Sequence, residues 1–95
     1  MARLTAKQIQ SRLAPLQDWT KSGGVIQRTF AFDGFVQAMA FVGKVAEEAE
    51  RVQHHPDIMV RYSKVTLALS THDAGGITEK DFDFAAAADR IFAAR

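Results

Sequence analysis

The sequence contains no cysteine, which excludes disulfide staples, thiolate metal sites and a cysteine nucleophile and accords with a reducing compartment. It has no surplus of one charge: 12 Lys and Arg stand against 11 Asp and Glu, a net charge of +1. Such a balance supplies no broad field for phosphate backbones or anionic lipid, so nucleic acid is not expected as a direct partner. No apolar run approaches the length of a membrane span, and Met1-Ala2-Arg3-Leu4-Thr5-Ala6-Lys7 lacks the apolar core of a secretory signal, so a cytoplasmic location without membrane association is expected. Low-complexity linkers are missing too, and 95 residues leave room for a single domain over 1–95. What is present is ordinary for a folded soluble domain, with 47% hydrophobic and 24% charged residues. A chain this short buries a smaller fraction of its surface than a larger one, which makes association a natural supplement to its core.

Thr5-Ala6-Lys7-Gln8 matches a capping box and predicts a first helix to about Leu13, ended by Pro15. A short strand around Trp19 to Lys21, a reversal at Ser22-Gly23-Gly24 and a second strand over Val25 to Phe32 make a hairpin. Ile26, Phe30 and Phe32 share one face of that strand, with Arg28 as the exception. Asp33 is the expected N-cap of a long helix whose buried stripe is Phe35, Met39, Val42, Ala46 and Ala49, with Lys44, Glu47, Glu48 and Arg51 opposite. Pro56 limits this helix just past His54. Strands then follow over Asp57 to Tyr62 and Lys64 to Thr71, the second with Val65, Leu67 and Leu69 on one face. After the Ala74-Gly75-Gly76 loop, Thr78-Glu79-Lys80-Asp81 is a second capping box opening a helix with Phe84, Ala88 and Ile91 inward. The order helix-strand-strand-helix-strand-strand-helix, with short connections, predicts an α+β fold: a four-stranded antiparallel sheet with helices packed on one face.

The three histidines fall in two segments, His54-His55-Pro56 and Thr71-His72-Asp73. Histidine titrates closest to neutrality, so a set of imidazoles in one pocket can divide into proton acceptor and proton donor. Glu50 lies four residues before His54, one helical turn away on the same face. Stepping from Ala46 to Glu50 rotates about 40° at ~100° per residue, which predicts that Glu50 borders the interior, where it can orient an imidazole or bind a substrate amide. Asp81 sits one turn before Phe84 and Ala85, where the helix dipole also favours an acid. A metal site is disfavoured, because adjacent histidines diverge and no H-x-x-x-H or H-E-x-x-H pair exists. Neither a phosphate loop nor a serine or cysteine nucleophile elbow is present.

Together, Glu50-Arg51-Val52-Gln53-His54-His55-Pro56, Tyr62-Ser63-Lys64-Val65, Leu69-Ser70-Thr71-His72-Asp73-Ala74-Gly75-Gly76-Ile77-Thr78 and Asp81 resemble the pterin-4a-carbinolamine dehydratase family, from about Trp19 onward. The resemblance implies a hydro-lyase that removes water from 4a-hydroxytetrahydropterin, the product of aromatic amino acid hydroxylases, to give quinonoid dihydropterin during tetrahydrobiopterin recycling. It implies no cofactor and no metal. It makes His54, His55 and His72 the catalytic set, and Gln53, Pro56, Ser70, Thr71 and Asp73 pterin contacts. Glu50 and Asp81 are implied as supporting residues that orient imidazoles or recognise the ring. Ile58 departs from an aromatic residue common two positions after the proline, replacing ring stacking with aliphatic packing at a loss of about 1 kcal/mol. The family implies a homodimer or homotetramer, and in animals it doubles as a dimerisation partner of a homeodomain transcription factor. The alternative is a non-catalytic protein-interaction module on the same fold.

Overall fold

Thr5 does cap the first helix: in the computed structural model, which describes residues 2–95, its hydroxyl accepts from the Gln8 N–H while the Gln8 side chain accepts from the Thr5 N–H. This helix, α1, spans Ala6–Leu13. Strand β1 spans Thr20–Ser22 and β2 spans Val25–Ala31. The reversal falls on Gly23 and Gly24, one residue tighter than expected, with Gly23 at φ 59°, a left-handed conformation that glycine adopts without penalty. Helix α2 is Phe35–Val52, β3 is Asp57–Arg61, β4 is Lys64–Leu69 and α3 is Glu79–Ala93. The predicted element order is observed. The strands form one antiparallel sheet in the order β1-β2-β4-β3, with β1 and β3 at its edges.

The core lies between the sheet and the helices. Ile26, Phe30, Val65, Leu67 and Leu69 have no exposed surface, as the period-two pattern requires, and Phe84, Ala85 and Ala88 of α3 pack with them. Arg28 sits on this same inner face and is accommodated by pairing. Its Nη1 donates to Asp89 Oδ1 at 2.7 Å, the Trp19 indole N–H donates to the same oxygen at 2.9 Å, and the guanidinium stacks 4.3 Å above Phe30. The exception in the pattern is therefore a charge placed under α3 and neutralised by it.

Two expectations about α2 are corrected. Its N-cap is Gly34, which makes no side-chain cap bond, rather than Asp33. Its buried residues are Ala38, Phe41, Val45 and Ala49, while Phe35 and Met39 are 51% and 41% exposed. The first half of the helix is apolar around most of its circumference, so periodicity admits more than one stripe, and the sheet takes the one about 75° away from the predicted one. That rotation has a consequence at the other end of the helix. Glu48 moves to the flank of the core, with a side chain 18% exposed, and Glu50 moves outward, with a side chain 73% exposed rather than bordering the interior.

Candidate active site

Helix α2 stops at Gln53, which turns left-handed at φ 53°, and the His54 N–H reaches back to the Ala49 carbonyl at 3.1 Å. The Gln53 amide donates to the Glu50 carbonyl at 2.7 Å, so this side chain is engaged at the helix end. With Pro56 next but one, His54 and His55 leave the helix before β3 begins, and their rings diverge. His54 turns inward, 11% exposed, with Nε2 2.6 Å from Asp81 Oδ1. His55 turns outward, 56% exposed, with Nε2 2.6 Å from Glu50 Oε2. Glu50 therefore does orient an imidazole, that of His55 rather than His54, and does so from the solvent side.

Asp81 holds the site together. It is fully buried in the first turn of α3, where the helix dipole favours a carboxylate. Its Oδ2 accepts from the Thr78 N–H at 2.9 Å and from the Thr71 hydroxyl at 3.0 Å, and the Thr71 and Thr78 hydroxyls are 2.7 Å apart. When Asp81 is ionised its carboxylate only accepts hydrogen bonds, and the proton of this contact then sits on His54 Nε2. A neutral His54 ring then carries its lone pair on Nδ1. The buried carboxylate is compensated by oriented N–H and O–H dipoles and by one imidazole.

Thr71 is the residue before His72. It is buried, 7% exposed, and its hydroxyl is committed to Thr78 and Asp81 within the frame. From here the chain makes a small closed loop. Thr71 N–H donates to the Gly76 carbonyl at 2.8 Å, Gly76 N–H donates back at 3.3 Å, and Gly75 N–H donates to the His72 carbonyl at 3.0 Å. Gly75 takes φ 71°, the left-handed geometry that ends this turn. Its crown presents His72 and Asp73, both exposed; Ser70 and Pro56 are half-buried. Asp81 thus bonds the His54 ring on one side and, through Thr71, the neck of the His72 turn on the other.

Beside His54 lies a cavity of about 230 Å³ between α2 and α3, walled by Arg51, Lys80, Arg90 and Glu48 over Phe84. The Arg51 hydrogen bonds hold the Glu48 carboxyl below the usual carboxylate range, with the charges of Arg51 and Arg90 adding to the effect and partial burial opposing it. Lys80 and Arg90 at this wall were not anticipated, because neither stands in a pattern that points to a site and only the packing of α3 against α2 brings them there. A larger recess of about 400 Å³, lined by Phe32, Phe41, Ile91 and Arg95, contains no histidine. Among the described residues, no three His, Cys, Asp or Glu side chains converge as metal ligands would.

The model of the pterin 4 alpha carbinolamine dehydratase family matches residues 2–91. The chain belongs to this family. The match begins well before Trp19, so the similarity takes in α1 and the segment preceding it. A relative from Acidobacterium capsulatum, provisionally named a pterin-4-alpha-carbinolamine dehydratase, is 55% identical over 91 residues, covering 96% of this chain and 99% of its own. One from Gloeobacter violaceus, named in the same provisional way, is 53% identical, covering 92% and 99%. Among solved structures, the transcriptional coactivator/pterin dehydratase of Brucella melitensis superposes with a TM-score of 0.90 at 34% identity, covering 94% of this chain and 97% of its own. A pterin dehydratase-like protein identified as a RuBisCO assembly factor in the alpha-carboxysome superposes with a TM-score of 0.64 at 25% identity, covering 78% and 86%. The family's α+β fold is the one observed.

Proposed function

We propose that the protein is a cytoplasmic hydro-lyase that dehydrates 4a-hydroxytetrahydropterin to quinonoid dihydropterin and water, acting after an aromatic amino acid hydroxylase in tetrahydrobiopterin recycling. The observation that carries this reading is the bond from His54 Nε2 to buried Asp81, which also anchors the His72 turn through Thr71. In the reaction the N5–H proton is removed, the C4a hydroxyl is protonated, the C4a–O bond breaks and a C4a=N5 double bond forms. His54 accepts the N5 proton at Nδ1, and the imidazolium so formed faces the Asp81 carboxylate, which stabilises it. His55 and His72, both exposed, supply the proton to the departing hydroxyl. Gln53, Pro56, Ser70 and Asp73 supply pterin contacts, as the family resemblance implies, while Glu50 sets the orientation of His55. The chemistry proposed uses no cofactor or metal.

The test is the dehydration rate of freshly generated 4a-hydroxytetrahydropterin, followed by ultraviolet absorbance. Wild type accelerates it, and the His54→Ala, His72→Ala double variant falls toward background, since each general acid or base contributes about 10²- to 10⁴-fold. Equal background rates for both would end the assignment. They would favour a second reading, a non-catalytic interaction module, for which the descriptions of the two solved neighbours as coactivator and assembly factor speak.

Self-association belongs to the same proposal, and the occupant we assign to the free edge of β3 is a second copy of this chain. Antiparallel pairing of Asp57–Arg61 with itself about Met59 sets Asp57 against Arg61 of the partner subunit at both ends. It also covers Ile58 and Met59, now 37% and 53% exposed. A dimer of this kind can associate further into a tetramer.

A further inference from the structure

The segment before α1 lies against the back of the His72 turn. Leu4 N–H donates to the Ile77 carbonyl at 2.8 Å, and the Leu4 side chain packs on the core cluster. The Arg3 side chain crosses Gly76 so closely that a methyl group placed on that glycine would stand 2.5 Å from Arg3 Cδ and 2.9 Å from Cγ. Gly76 does not have the left-handed backbone of Gly23 and Gly75. The absence of a side chain there serves the close approach of Arg3, not a special dihedral angle. Gly76 is also one half of the two-bond bridge to Thr71 that closes the turn. The strap is anchored at its other end, where Thr5 caps α1, Ile9 is buried in the core and Arg12 pairs with Glu79 in the first turn of α3.

We propose that Arg3 and Leu4 form a strap over the neck of the His72 turn, with Arg3 a positioning residue for His72. An exposed turn of six residues closed by two backbone bonds opens readily unless something covers it. The aliphatic stem of Arg3 covers Gly76 and so shields the bridge from water, and Leu4 ties the strand of chain that leaves the turn to the core. The catalytic meaning of this strap rests on the proposed function, whereas its effect on the turn does not.

Amide exchange and ring resonances of the full chain by nuclear magnetic resonance, measured beside the dehydration rate, test both. In Arg3→Ala, exchange at the Thr71 and Gly76 N–H groups accelerates about tenfold, the His72 ring signals shift, and those of Phe30 and Leu67 in the sheet do not change. Arg3→Lys largely restores the exchange rates, because its methylene stem still covers Gly76. Gly76→Ala, whose methyl displaces the Arg3 stem, reproduces the Arg3→Ala effect, and the double variant is no worse than either single change. Turnover falls across the same series in kcat with KM nearly constant. Unchanged exchange at Thr71 and Gly76 in Arg3→Ala, or additive effects in the double variant, would overturn the strap. If exchange responds as stated but wild type shows no dehydration, the strap stands and the functional reading fails. Turnover by wild type with neither exchange nor kcat altered in Arg3→Ala defeats the strap and leaves that reading intact.

Discussion

At the scale of single residues, Asp81 carries the most. It accepts from Thr78 N–H and the Thr71 hydroxyl and faces His54, all without access to water. Asp81→Ala leaves those donors without their partner, and a destabilisation of about 2–4 kcal/mol is expected, read from the shift in urea midpoint. Asp81→Asn keeps the volume but presents an amide where an acceptor is needed, so it lowers kcat by about 10²-fold or more while costing less stability. Glu48 behaves differently because its partners are at the surface. Arg51 holds its ionised form, so the folded-state carboxyl titrates below its unfolded counterpart. The pairing contributes fully above about pH 5, and it is lost as pH falls through about 4 and below. The stability difference between wild type and Glu48→Gln, followed by urea unfolding, is therefore largest near neutrality and shrinks as pH falls below the ordinary carboxylate range. His54 and Asp81 were each visible in the sequence as members of motifs. Their bond was not, because 27 residues separate them and only tertiary packing closes that gap.

Elements show where periodicity suffices and where it fails. Strand β4 alternates Lys64, Thr66 and Ala68 with Val65, Leu67 and Leu69, so its inner face was unambiguous, and the observed burial follows it. Both capping boxes, at Thr5 and Thr78, were equally legible, since the geometry is local. Helix α2 was legible in extent but not in rotation, because Phe35, Val36, Met39, Phe41 and Val42 all compete to face the sheet. Glu50 was misplaced for that reason. The observed rotation predicts a contrast: Phe41→Ala costs about 3–5 kcal/mol in urea unfolding, whereas Met39→Ala costs under about 0.5 kcal/mol in dilute protein. Equal costs would contradict the rotation.

For the whole molecule, the sheet has helices on one side and a free edge at β3, and the apolar stripe of α2 that the sheet does not take remains open at Phe35, Val36 and Met39. Composition alone suggested association, but not where, since exposure is a property of the folded chain. If β3 pairs with a second copy in the register proposed, Asp57→Arg sets like charges against each other and shifts sedimentation toward monomer. The exchanged pair, Asp57→Arg with Arg61→Asp, restores the dimer. Failure of the exchange to restore it would place the interface elsewhere.

Trp19 is the one tryptophan of the chain, and its indole is buried and bonded to Asp89 of α3, which also holds Arg28 of β2. Its fluorescence accordingly reports the docking of α3 on the sheet near β1, not the condition of the histidine turn. A variant that loosens only the turn will give an unfolding curve by tryptophan emission that overlays wild type, although its histidine is no longer held. Melts followed by tryptophan emission are thus blind to the histidine turn, and a normal melt in a variant altered there is no proof that the turn is intact.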